Sequence, residues 1–171
     1  MFEAAATEVE RARASLDRLR EAPDQREFLV LFNAFVAAAQ AVLIAVLREG
    51  RGERPPGFDA WYAAKREEMD ADDVMILVRE ARDFDFQDGP HRLRFVVAAD
   101  QFTADDRGQQ PKPGAWWSLP ADPSIHVAVD AAPGMHRGRR LGNTDPVALC
   151  EAVRDYLEKL LAEACSAVGA A

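Results

Sequence analysis

The stretch VREARDFDFQDGPH, residues 78 to 91, gathers side chains able to act on a phosphate: Arg79, Arg82, Asp83 and, further on, His91. A guanidinium can steady negative charge on a phosphate while an imidazole accepts the proton of a neighbouring hydroxyl. Eight residues, among them Gly89 and Pro90, separate Arg82 from His91. The two act together only if that turn folds His91 back toward the helix carrying Arg82. Asp85 and Asp88 fill the interval, and their charge opposes a phosphate there. The alternative is structural: Arg79 and Arg82 pair with nearby acids on a helix surface, which adds little stability.

Two other groups have binding chemistry. GMHRGRRLG, residues 134 to 142, sets His136, Arg137, Arg139 and Arg140 among three glycines, the densest positive charge in a chain of net charge -8. Such a run suits a phosphate or an acidic partner, and is otherwise a solvated loop. Trp116 and Trp117 can stack on a base or anchor a protein partner. Neighbours on a strand point to opposite faces, so one of the two is expected to pack inward and cover the bundle.

Several familiar sites are missing from the sequence: a Gly-rich phosphate loop, a nucleophile-elbow serine, paired histidines at helical spacing and cysteines at ligand spacing. His91, His126 and His136 are scattered, so neither a metal nor a cofactor is expected. The net charge of -8 disfavours indiscriminate attraction to nucleic acid and leaves only a local basic patch for that role. Cys150 and Cys165 occupy apolar positions of one expected helix, about 22 Å apart at the helical rise. They are expected as buried, reduced thiols, as in the cytoplasm. Glu3, Glu8 and Glu10 near the start are unlike the basic beginning and apolar run of a secretion signal.

The positioning elements follow from periodicity. Phe2, Ala5, Ala6, Val9, Ala12, Leu16 and Leu19 mark an amphipathic helix ending near Pro23. Asp24, three residues before Glu27, suits the start of a second helix. Phe28 to Leu47 is apolar on every face, broken only by Asn33 and Gln40. It is long enough to span a bilayer. Its alanines, its two amides and the lack of a second such segment favour the central helix of a bundle, wrapped by the others, with the amides hydrogen-bonded in the core or at a subunit contact.

Gly50 is expected to stop that helix. A bent helix or two short ones should occupy residues 58 to 84, with DADD at the second start. Residues 92 to 100 and 124 to 131 read as paired strands, joined by a loop over 101 to 123. Asp145 and Pro146 open the last helix, with an Asp155 to Lys159 pair on its surface. The expected fold is mainly α: one domain over residues 1 to 171, a four- to five-helix bundle with a small β-hairpin insertion at 91 to 142 before the C-terminal helix.

FNAF in the apolar second helix, FDAWY opening the third and Arg82 with Asp83 near that region's end resemble the HEPN superfamily, over residues 1 to 91 and the last helix. The resemblance implies a place in a bacterial defence or toxin–antitoxin type system. It also implies a homodimer in which an Arg, a polar residue and a His cleave RNA without metal, four to six residues lying between Arg and His. Here those positions hold Phe84, Asp85 and Phe86 counted from Arg79, and Gln87, Asp88 and Gly89 counted from Arg82. The catalytic motif is degenerate. The expected function is a cytoplasmic, HEPN-like, non-catalytic binding protein, homodimeric and not in a membrane, with RNA or an acidic protein as partner. Two alternatives are a metal-independent ribonuclease using Arg82 and His91 across the dimer, and a scaffold binding partners through the Trp loop and the basic loop.

Overall fold

Three carboxylates start helices where the sequence places them. Asp24 Oδ1 accepts the Glu27 amide at 2.8 Å. Asp72 Oδ1 takes those of Val74 and Met75 at 3.0 and 3.1 Å, and Asp145 Oδ1 those of Val147 and Ala148 at 2.8 and 3.3 Å. Each satisfies amides that a first helical turn leaves without carbonyl partners. The computed structural model describes residues 2–53, 55–83, 93–97, 117–123, 125–129, 135–136, 139–140 and 145–169. Its helices are α1 (Glu3–Arg20), α2 (Gln25–Glu53), α3 (Phe58–Asp70), α4 (Asp73–Asp83) and α5 (Pro146–Gly169).

The helices α1 and α2 form an antiparallel hairpin, and α5 packs on both. Glu49, near the far end of α2, accepts the amides of Ala4 and Ala5 at 3.0 Å each, so one helix caps the other across the hairpin. The core joins Leu16 and Leu19 of α1 to Phe28, Phe35 and Val42 of α2 and to Val153, Leu157 and Leu160 of α5. Ala6, assigned to the same stripe by spacing, is exposed.

Strands β1 (Leu93–Val97), β2 (Trp117–Ser118) and β3 (Ile125–Val129) form an antiparallel sheet in the order β1-β3-β2. Leu93 is opposite Val129 and Val97 opposite Ile125. The expected pairing of the two longer strands holds, with β2 added at the edge. A separate ribbon joins β4 (Met135–His136) to β5 (Arg139–Arg140), ahead of α5.

Four details differ from the sequence reading. Gly50 does not end α2, which runs on to Glu53; it is buried inside the helix, against the ring of Phe58. Cys150 is buried but Cys165 is exposed. Lys159 pairs with Glu163 at 3.4 Å, one turn further on, while Asp155 takes Arg154 at 2.7 Å. The neighbouring helices cover α2 on one side only: Val30 is 59% and Ile44 56% exposed. By length and composition α2 is able to cross a membrane, and 44% of its most apolar window is buried inside the protein.

Candidate functional site

Helix α4 carries the arginines singled out by type. It is fixed by the Asp72 cap, by buried Val74, Met75 and Val78, and by Gln40 of α2, whose Nε2 donates to the Val78 carbonyl at 2.6 Å. Gln40 thus takes the structural role expected of it. From this scaffold Arg79 turns back to α3 and ion-pairs with Asp70, whose other oxygen lies 3.9 Å from Arg66 Nε. The surface-pairing alternative holds for Arg79. Arg82 and Asp83 complete the last turn of α4, with side chains outside the described residues. His91 lies outside them altogether.

The basic ribbon is nearer to this helix than its place in the sequence suggests, because β4 packs against α4. His136 is opposite Arg139, and Arg140 opposite Met135. Their side chains, and the whole of Arg137, lie outside the described residues. The backbone therefore packs the strand that holds His136 against the helix that carries Arg79 and Arg82, although the chain separates them by more than fifty residues. Of the tryptophans, Trp117 is half-buried on β2 against the core, with its Nε1 buried and unbonded among the described residues. Trp117 packs inward, as expected of one of the two; Trp116 lies outside the described residues.

Two features were not singled out in the sequence. Ser118 and His126 face each other across β2 and β3, with Ser118 Oγ 2.9 Å from His126 Nδ1. Serine nucleophiles are activated by such a contact, but a cross-strand bond also satisfies a buried imidazole, and nothing described places an oxyanion site beside it. No periodicity announces it, since the pair arises from strand register. The second feature is a groove of about 270 Å³ between α2, α3 and α4. Its walls include Leu43, Ile44, Leu47, Met69 and Met75, with Gln40 and Tyr62 also lining it and Arg66 and Arg79 at the rim. Burial pushes the Tyr62 phenol above its ordinary pKa, opposed by Arg66 and Arg51, so it stays a neutral donor at neutral pH.

Among the described residues no cluster of three or more His, Cys, Asp or Glu is placed to hold a metal ion. No protein family, no curated protein and no solved structure matches the chain.

Proposed function

We propose that the protein is a HEPN-like, cytoplasmic, non-catalytic binding protein that holds RNA on a basic face made by the end of α4 and the β4–β5 ribbon. The observation that supports this reading is the packing of β4 on α4, the helix that ends in Arg82 and Asp83, with Arg139 and Arg140 paired to β4 on the neighbouring strand. In a chain of net charge -8, phosphate is held only where cations are concentrated in this way. The non-catalytic half of the proposal rests on the spacing after Arg82 and on Asp85 and Asp88, which oppose a phosphate beside it.

Fluorescence anisotropy with a labelled single-stranded RNA over a salt series tests the proposal. Binding should weaken as salt rises, and Arg139→Ala with Arg140→Ala should reduce the logarithmic slope by about 1.4, at roughly 0.7 per lost phosphate contact. The RNA should remain intact in chelator. No binding at low salt, or an unchanged slope in the variant, refutes the binding reading. Cleavage lost in both Arg82→Ala and His91→Ala establishes the ribonuclease instead.

The working form in this proposal is a homodimer joined along α2. Val30 and Ile44 each stand seven residues from exposed Ala37, and exposed Ala34 and half-buried Ala41 lie between them. The spacing is symmetric about Ala37. An antiparallel copy related by a two-fold axis there sets Val30 on Ile44 of the partner subunit, and the alanines allow close approach.

A further inference from the structure

The groove between α2, α3 and α4 has two chemistries in one place. Its floor is aliphatic and thioether, from Leu43, Leu47, Met69 and Met75, while its rim carries the guanidiniums of Arg66 and Arg79. Those two cations share the single carboxylate of Asp70. One positive charge is therefore uncompensated within that triad, beside apolar surface that water covers poorly. Arg66 is 73% and Arg79 49% exposed at the side chain, so both are able to swing onto a ligand without leaving a buried charge behind.

We propose that this groove binds a medium-chain aliphatic carboxylate, with its chain along Leu43, Leu47, Met69 and Met75 and its carboxylate between Arg66 and Arg79. Charge complementarity selects the occupant. A purely apolar molecule covers the floor and leaves the rim charge unanswered, whereas a carboxylate accepts planar, two-pronged hydrogen bonds from guanidinium. An amine would be repelled. Size favours a medium chain: a groove of about 270 Å³ is at the small end of ligand sites and suits a short, flexible aliphatic tail better than a long one. The methionines add adaptability, because an unbranched thioether re-packs around chains of slightly different length. Tyr62 closes one side, its hydroxyl 3.5 Å from the Leu43 carbonyl, and remains free to donate more strongly to a ligand oxygen.

This site is separate from the RNA face: it uses α2, α3 and the groove side of α4, and neither Arg82 nor the ribbon, while its α2 wall shares Ile44 with the proposed dimer seam. Isothermal titration of the full chain with decanoate, kept below its micelle concentration, and with decanol tests it. Decanoate should bind saturably at one per chain and decanol at least tenfold more weakly. Arg66→Gln with Arg79→Gln should lower decanoate to the level of decanol while the circular dichroism melt is retained. RNA anisotropy of that variant should match the wild type, so a failure here is distinct from a failure of the RNA reading. The proposal is overturned if decanoate does not saturate, if decanol binds equally well, or if the double variant binds decanoate unchanged. Co-sedimentation with anionic phosphatidylglycerol vesicles, without uptake of free decanoate, likewise overturns it in favour of a membrane surface.

Discussion

The ring of Phe58 occupies the space in which a β-carbon on Gly50 would stand. The ring is 3% exposed and has little room to retreat, since it stacks on Phe2 at 6.4 Å and on Tyr62 at 6.0 Å and tilts against Trp61 at 5.5 Å. Gly50→Ala should therefore destabilise the protein by about 1 to 2 kcal/mol, an overpacking cost of up to about 3 reduced by the roughly 1 kcal/mol that alanine gains in a helix. Gly52, on the same helix, has open space around it, and Gly52→Ala should be stabilising. Urea denaturation of the two variants checks the contrast; equal shifts would refute the packing role of Gly50.

That contact also shows where the sequence was legible and where it was not. Asp24, Asp72 and Asp145 announce their helices because a cap acts on amides two or three residues away. The partnership of Gly50 with Phe58 is a tertiary fact, and without it a glycine after an apolar run reads as a stop. The strands were legible through their branched residues, whereas the approach of β4 to α4 depends on chain path rather than on local composition. The groove was illegible for a related reason. Its residues come from three helices, and spacing predicts a nearby acid for Arg79 without singling out Asp70, which the turn between α3 and α4 brings beside it. The all-round apolar pattern of α2 suggested complete enclosure, yet periodicity reports which residues are apolar and not how many neighbours arrive to cover them.

The two cysteines differ in exposure, and their chemistry should differ with it. Burial pushes the Cys150 thiol well above its ordinary pKa, reinforced by Asp145 and Glu151, so it is both inaccessible and protonated at neutral pH. Cys165 is exposed on α5. A thiol-disulfide reagent should titrate one thiol per native chain and two in denaturant, and Cys165→Ser should abolish the native reaction. Rapid native labelling of both would contradict the burial of Cys150.

Lys65 ties α3 to α5, with Nζ 2.7 Å from Glu163 and 2.6 Å from Glu68. The hydrogen bond from Lys65 holds the Glu163 carboxyl below its ordinary 4.5, against burial. Burial acts to lower the Lys65 pKa, but its bonds to Glu163 and Glu68 outweigh that and raise it above 10.5. The tie is complete between those values. Its Glu163 part is lost as acid brings the pH through the lowered carboxyl pKa, and its Lys65 part as base passes the raised ammonium pKa. Glu163→Gln should cost about 0.5 to 1 kcal/mol at neutral pH and flatten the fall in stability between about pH 5 and 3. Denaturation at a series of pH values measures this, and parallel curves for variant and wild type would remove the tie from the stability of the fold.

The proposed dimerisation along α2 should make stability depend on concentration. The seam from Val30 to Ile44 spans about 21 Å at the helical rise, a small surface by the standards of permanent assemblies, so the dimer should dissociate on dilution. Mass action then ties folding to association: the thermal midpoint should rise with protein concentration, and light scattering should give twice the chain mass at high concentration, drifting to the chain mass on dilution. Val30→Glu with Ile44→Glu brings carboxylates together at both symmetry-related contacts. It should give a monomer at every concentration, with a midpoint that no longer moves. Because both residues are exposed in the single chain, the variant should keep its helical circular dichroism. A wild-type monomer throughout the range, or a double variant that still dimerises, would place any self-association elsewhere and leave the apolar face of α2 without the partner assigned to it.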